Sequence, residues 1–372
     1  MSELLKEFLA DLETLVNIDS GSYDPEGVNQ VADFFAKRFE ALGWLCEYVS
    51  FDDRIGKVLK ICNREAERYD VTFVGHMDTV FPKGTPQQRP FRVEGDRAYG
   101  PGVADMKQGD LAMYYTAKLL DQETLNRVSI CMLFTPDEEI SSRFTRGYLE
   151  QIAAKSDRVF IMEACLLDGS YCFSRKGKLS YKFNFHGKAA HAGFAWEVEN
   201  ASAVHELAQW VCELMNLRDK EAGTTVNVAP ISGGIGCNTV ADFASMDCEM
   251  RFYSNEEGDR IEAKIAQLLE NPFVPGVRVE MVDRQSTPAW RATEETWAYV
   301  DQARAIAASL GQEFQGGWRG GLSDANHMAP FCPIVIDGMG PRGQYGHSER
   351  ECMDLTGVEP CIDLCKALIE AL

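Results

Sequence analysis

Adjacent glutamates close the stretch VSICMLFTPDEE, where Glu138 and Glu139 follow a run, 128–134, apolar enough to be a buried strand. Two carboxylates at such an end are either solvated turn charges, the commoner case, or groups with separate jobs in one site. On an extended segment neighbouring side chains point to opposite sides, so each glutamate would serve a different partner. The chain has only six histidines, and each can be weighed singly. His76 ends the apolar run VTFVGH within GHMDTV. If that strand continued, Asp78 would share its face two residues on. A metal-binding imidazole usually donates its second N–H to a carboxylate or carbonyl, which fixes its tautomer, so this pairing suits a ligand and its orienting group. His347 lies in the polar stretch GQYGHSERE near the C-terminus.

Two further carboxylates are candidates. Asp105 sits in GPGVADMKQGD, a glycine-rich loop ahead of a helical pattern. Its bland reading is a helix N-cap. Glu163 closes the otherwise apolar RVFIME, where a carboxylate is costly unless paired or bound to a cation. Every candidate follows a strand or lies between strand and helix, the edge of an open α/β sheet at which ligands bind. Two histidines with several carboxylates there suit zinc, which takes nitrogen and oxygen ligands.

The elements that must position these residues read as alternating helices and strands over the first 170 residues or so. Helical spacing covers about 2–17, 25–42, 106–121 and 145–154; strand patterns cover 44–51, 57–62, 71–76, 128–134 and 158–163. That alternation predicts an α/β sheet flanked by helices. After Gly177 the character changes. LSYKFNFHG alternates as a half-exposed strand does, and the order strand, helix, strand, strand, helix, strand through 178–289 is a ferredoxin-like split βαβ unit. From 290 the first pattern resumes and ends in a helix at 357–371. The expected organisation is thus a first domain of 1–177 and 290–372 with 178–289 inserted.

Bulk properties exclude several classes. A net charge of −20 leaves no basic stripe for phosphates, so no nucleic-acid partner is expected. No apolar stretch approaches the roughly 18 residues that would span a bilayer. The start, MSELLKEFLADLETLV, is an acidic amphipathic helix pattern rather than a signal peptide. Twelve cysteines form no CxxC pair and sit mostly in apolar contexts, which reads as reduced core thiols of a cytoplasmic protein.

Taken in order, GHMDTV, GPGVADMKQGD, TPDEE, the strand-end Glu163, KAAHAG and GHSERE resemble the motifs of the M20 metallopeptidases, from about residue 70 to 355. These are dinuclear zinc amidohydrolases, including carboxypeptidases, deacetylases, desuccinylases and aminoacylases. SRKGKLSYKFNFHGKAAHAG and TTVNVAPISGGIGCNTV look most like the glutamate carboxypeptidase (carboxypeptidase G2-like) branch. The resemblance implies a zinc-exopeptidase-like mixed sheet flanked by helices, with the insert as a dimerisation (lid) domain of a homodimer. It implies two Zn²⁺ per subunit, Co²⁺ or Mn²⁺ being alternatives. His76 and Glu163 would bind one metal, Glu139 and His347 the other, and Asp105 would bridge them. Asp78 would orient His76. Glu138 would hold the attacking water as general base and pass its proton to the leaving amine. The Asp105-Met106 peptide bond would be cis.

The same resemblance implies that His191 of KAAHAG steadies the developing oxyanion in the partner's site, and that Asn238 and Arg251 hold the substrate's α-carboxylate. Arg251 suits this because its planar fork grips a carboxylate twice; its bland alternative is a strand-surface salt bridge. Asp324 in GGLSDAN is a further substrate-binding candidate, and His327 would pack nearby. His186 and His205 read as exposed. The family commonly has Gly-Gly after the bridging-loop lysine, where this chain has Lys107-Gln108-Gly109, and Ala-Pro-Glu where it has Phe194-Ala195-Trp196-Glu197. The expected function is hydrolysis of an amide bond next to a free carboxylate, releasing a C-terminal amino acid such as glutamate from a small peptide or N-acyl conjugate. The rivals are an N-acyl-amino-acid deacylase and a catalytically silent scaffold. A glycosidase is excluded because its two carboxylates must face one another across a sugar.

Overall fold

A computed structural model describes all 372 residues. The chain divides into two compact units, one of Met1–Ser174, Arg291–Arg319 and Ser323–Leu372, the other of Arg175–Trp290 with Gly320–Leu322.

The first unit is built on a six-stranded mixed sheet. Its spatial order is Leu45–Val49, Val58–Cys62, Ile130–Thr135, Val71–His76, Arg158–Ile161 and Ile334–Ile336. The first two pairings are antiparallel and the remaining three parallel. Central strands of such a sheet are covered on both faces, which is why Val71–His76 and Ile130–Thr135 are buried at all six positions. Helices supply the cover. Glu3–Val16 starts with Ser2 Oγ accepting from Leu5 N and buries Phe8, Leu12 and Leu15, an i, i+4, i+7 stripe. Pro25–Ala41 begins with proline in its first turn behind the Asp24 cap and lays Phe35 on Phe134 at 4.6 Å between ring centroids. Lys107–Leu119 is buried on nearly every side, as a helix in the middle of a core must be.

The approach of that last helix explains a glycine. A Cβ at Gly109 would stand 2.0 Å from the Met162 carbonyl oxygen, so only glycine allows the helix so close to the sheet. The neighbouring Gln108 is fully buried and donates to the carbonyls of Ala104 and Pro341, at 3.3 and 2.9 Å. A buried polar side chain therefore fills the position where the resemblance led one to expect a glycine.

The second unit is a four-stranded antiparallel sheet in the order Thr225–Gly233, Phe243–Phe252, Gly177–His186, Arg278–Thr287. Chain order 2-3-1-4 across the sheet is the arrangement expected of the split βαβ pattern. Alternation is clean in Phe243–Phe252, and the inward residues pack with Trp210, Leu207 and Ile261 of the helices Ala203–Met215 and Asn255–Glu270. The strand expected over 238–253 is interrupted, as Thr239–Val240 leaves this sheet to pair with Ala190–His191. The helix Glu294–Ser309 was not singled out from the sequence, because apolar and polar residues mix around it without a sharp stripe.

Candidate metal centre

Register brings the first group of side chains together. Val71–His76 runs parallel to Ile130–Thr135 with His76 opposite Thr135, so Glu138 and Glu139 emerge just beyond the end of the neighbouring strand. On the other side Val74 pairs with Ile161, which sets Glu163 level with His76. His76 Nε2 lies 3.2 Å from Asp105 Oδ1, 3.5 Å from Glu163 Oε1 and 4.0 Å from Glu138 Oε2. His347 reaches the same place from a loop in which Tyr345 and His347 itself have positive φ, and its Nε2 lies 2.8 Å from Glu139 Oε2 and 3.2 Å from Asp105 Oδ2. Asp105 thus turns one carboxylate oxygen to each histidine. The Asp105-Met106 peptide bond is cis, and the following helix is preceded by Met106 with no side-chain cap, so Asp105 does not serve as its N-cap.

Two local expectations need correction. Glu138–Ile140 is a 3-10 turn rather than extended chain. Successive residues of a three-residue-per-turn helix fan out by about 120°, so the two carboxylates diverge for a reason other than strand alternation. Asp78 does not share a continuing strand with His76, since the strand ends at His76. Its backbone carbonyl, 3.0 Å from His76 Nδ1, is the closer partner of the ring, with the carboxylate Oδ1 at 3.4 Å. In the neutral ring that a metal ligand requires, an N–H on Nδ1 would leave the Nε2 lone pair toward the cluster. The Asp78 carboxylate accepts instead from Glu138 N and Glu139 N, both at 3.2 Å, and from Ser22 Oγ at 2.6 Å. One residue therefore orients the histidine with its backbone and the glutamate turn with its side chain.

Asp324, expected to contact substrate, is 2% exposed, with Oδ2 accepting from Thr135 Oγ1 at 3.1 Å and Oδ1 from Ser142 Oγ. Both oxygens are engaged beneath the turn that carries Glu138 and Glu139, so the substrate-binding role is replaced by a supporting one. His327 is buried, His205 is exposed, and His186 pairs with Glu280 at 2.8 Å.

Glu351 was missed. It is 1% exposed, and its carboxylate accepts from the backbone N–H groups of Ala104 (2.9 Å) and Asp105 (3.0 Å) through Oε1 and of Gly102 (3.1 Å) through Oε2. It ties the His347 loop to the Asp105 loop. Its only sequence signal was position, four residues after His347 in GHSERE, where a second acid in a charged run reads as solvated.

The electrostatics fit a cation-binding centre. Burial, reinforced by neighbouring carboxylates, pushes Glu138 well above the ordinary range and Glu139 up to about 7; Glu163 is raised for the same reason. For His76 burial favours the neutral ring, but hydrogen bonds to Asp105, Asp78 and Glu163 outweigh it and hold the ring well above its usual value. His347 is raised to about 11 by hydrogen bonds to Asp105 and Glu139. The carboxylates crowd around too little positive charge. Glu139 Oε1 is buried with no hydrogen-bond partner, an arrangement a metal ligand explains. Ligand atoms of His76, Asp105 and Glu139, and of His76, Glu138 and Glu163, lie within 4.8 Å of one another. The donor set is imidazole nitrogen and carboxylate oxygen, suited to zinc or another first-row divalent ion.

In the second unit the pairing of Ala190–His191 with Thr239–Val240 brings His191 beside Asn238, with Ala192 N donating to Asn238 O at 2.9 Å. His191 is exposed, and its Nδ1 accepts from Gly193 N at 3.1 Å. Phe194 stands against its ring and Trp196 is fully exposed. Arg251 donates through Nε to Glu249 at 2.7 Å and through Nη1 to Gly320 O at 3.0 Å, so the salt-bridge reading of this residue is realised.

Known proteins share the chain's length and fold. The chain is 30% identical over 371 residues to carboxypeptidase G2 of Pseudomonas sp. (strain RS-16), covering 96% of this chain and 87% of that one. It is 24% identical over 372 residues to succinyl-diaminopimelate desuccinylase of Acidovorax ebreus (strain TPSY), covering 91% and 92%. Its fold is similar to that of the M20 family metallo-carboxypeptidase Sso-CP2 of Sulfolobus solfataricus, with a TM-score of 0.74 at 17% identity over 100% and 99% of the two chains. Residues 72–371, from the His76 strand to the last helix, match the sequence profile of Peptidase family M20/M25/M40, and the chain belongs to that family of hydrolases.

Proposed function

We propose that the protein is a homodimeric two-metal hydrolase that cleaves an amide bond next to a free carboxylate, releasing a C-terminal amino acid such as glutamate from a peptide or N-acyl conjugate. The observation that carries this reading is the sharing of Asp105 between His76 and His347, one oxygen each, with Glu138 close by at 4.0 Å from His76. His76 and Glu163 would hold one metal, Glu139 and His347 the other, and Asp105 both. Two divalent ions, zinc in this reading, would lower the pKa of water toward neutrality and polarise the scissile carbonyl. Glu138 would take the proton of the attacking water on its carboxylate and deliver it to the leaving nitrogen. Asp78 holds Glu138 and Glu139 by their backbone N–H groups, so the base keeps its place while its charge changes.

In this reading Asn238 and Arg251 hold the substrate's α-carboxylate, Arg251 exchanging Glu249 for it, and His191 steadies the developing oxyanion in the site of the second subunit. The insert would form the dimer and lid. Similarity to the desuccinylase supports a second reading, an N-acyl-amino-acid deacylase with the same centre and a different acyl pocket. No helix is long and apolar enough to cross a membrane, in keeping with a cytoplasmic location in this reading. The test is amine release by zinc-reconstituted protein over dipeptides, N-acyl amino acids and aroyl- or folyl-glutamates. Turnover confined to glutamate conjugates supports the carboxypeptidase; turnover of N-acetyl or N-succinyl amino acids supports the deacylase. No turnover with two metals bound would refute both.

A further inference from the structure

Away from the metal centre, the first unit has a second chemically distinctive place. Cys62 and Cys131 stand directly opposite one another in the antiparallel pairing of Val58–Cys62 with Ile130–Thr135, which puts their side chains next to each other on one face of the sheet. Cys62 Sγ also donates to Tyr69 Oη at 3.5 Å. Lys60 lies two residues before Cys62 on the same face of the strand, its ammonium 2.6 Å from Glu47. Cys62 and Tyr69 open onto a surface pocket of about 600 Å³, rimmed by Leu45, Arg64, Glu65 and Glu67. Cys131 has no such opening. It is fully buried one strand further into the sheet, where it pairs with Thr72 of the next strand. Neither cysteine touches the proposed metal ligands.

We propose that Cys62 and Cys131 form a peroxide-reactive dithiol, with Cys62 the attacking thiol at the floor of the pocket and Cys131 the resolving thiol behind it. The ligand class is a small hydroperoxide, which the pocket admits. The Cys62 thiolate attacks the O–O bond of hydrogen peroxide. One oxygen stays on sulfur as the sulfenic acid, and the other leaves as hydroxide, which takes up a proton to become water. The Cys131 thiol then attacks the Cys62 sulfur, loses its proton and expels a second water, leaving a disulfide. Two thiols lose two electrons and the peroxide gains them.

The local chemistry favours this division of roles. The neighbouring Cys131 thiol and Tyr69 hydroxyl, with the Lys60 charge, favour the Cys62 thiolate and bring Cys62 below the ordinary thiol value, to about 7, against the opposing effect of burial. Burial, with the neighbouring Cys62, pushes Cys131 well above it. Geometry favours closure. Directly opposed residues of an antiparallel pair have Cβ atoms about 4.5–5.5 Å apart, and a disulfide needs about 3.5–4.5 Å. Cys62 is the last residue of its strand, beside the edge strand Leu45–Val49, so it can make that shift without disturbing a central strand.

The test treats the native, metal-loaded protein with equimolar hydrogen peroxide, alkylates the remaining thiols after unfolding and identifies the peptides by mass spectrometry. The expected result is a fall in free thiols from twelve to ten, with the peptides of Cys62 and Cys131 joined. Oxidation confined to the exposed Cys212 or Cys237, with Cys62 and Cys131 fully alkylated, would overturn the proposal. In Cys131→Ser, dimedone should trap a sulfenic acid at Cys62, and its absence there in a folded variant would equally overturn the proposed order. Cys62→Ser should retain metal binding and lose the two-thiol response. If either variant fails to fold, the wild-type peptide result still decides.

Discussion

Changing Glu351 to glutamine preserves the side chain's shape while replacing one acceptor oxygen by an amide nitrogen. In the wild type Oε1 serves Ala104 N and Asp105 N, and Oε2 serves Gly102 N. With the glutamine oxygen facing the first two, its NH₂ must face the Gly102 N–H, two donors in a buried place. An orphaned buried donor costs about 1–3 kcal/mol. The two surviving bonds weaken from charge-assisted to neutral, a loss of up to about 1 kcal/mol each. Against this, burial raises the Glu351 carboxyl to about 7, so removing the charge recovers part of a desolvation cost. The net expectation is a loss of about 2 kcal/mol in stability, read by urea unfolding of the metal-free protein. Because the freed backbone carries Asp105, metal affinity should fall as well, by roughly 10–100-fold as for other groups that orient ligands. Chelator competition measures it. An unchanged unfolding midpoint together with unchanged metal affinity would refute the assignment of Glu351 to holding the Asp105 loop.

Glu138→Ala should abolish turnover while keeping both metals, and Glu139→Ala should weaken one metal site; equal metal loss in the two, measured by atomic absorption, would sink that division of labour. Gly109→Ala should destabilise by at least about 1–3 kcal/mol, the usual cost of overpacking, since its Cβ would fall 2.0 Å from the Met162 carbonyl oxygen; thermal unfolding decides. Asp110 is fully buried with neither carboxyl oxygen hydrogen-bonded, and burial holds it well above the ordinary carboxylate range. Its folded pKa exceeds the unfolded one, so the native state holds a proton the unfolded chain releases. Stability of the metal-free protein should therefore fall as pH rises from about 4 toward the folded pKa. Asp110→Asn removes that slope, and its advantage over wild type should grow with pH; parallel pH profiles in urea unfolding would contradict this.

Much of the centre was legible because its residues sit where local patterns end. His76 and Glu163 close apolar runs, Asp105 lies in a glycine-rich loop, and Glu138–Glu139 follow a strand, so residue type and topological place already pointed to a ligand set. The α/β alternation and the ferredoxin-like insert were visible for a similar reason, since hydrophobic periodicity records which face of each element is buried. What failed was inference about backbone direction beyond an element's end. Glu138–Ile140 forms a 3-10 turn because Asp78, some 60 residues earlier in the chain, captures its N–H groups. Asp324 looked available in a loop and is buried under Thr135 and Ser142.

The sequence by itself determined the kinds of side chain, their order and the elements that end beside them. Only the tertiary structure decided which oxygen of Asp105 meets which histidine, that the Asp78 carbonyl rather than its carboxylate is nearest the His76 ring, and that Glu351 holds the Asp105 loop. It alone set Cys131 behind Cys62, through a pairing of strands nearly 70 residues apart. The physical reason is the range of the interactions. Periodicity and capping act over a few residues, whereas a carboxylate's hydrogen bonds and a strand's register depend on groups that become neighbours only when the sheet assembles.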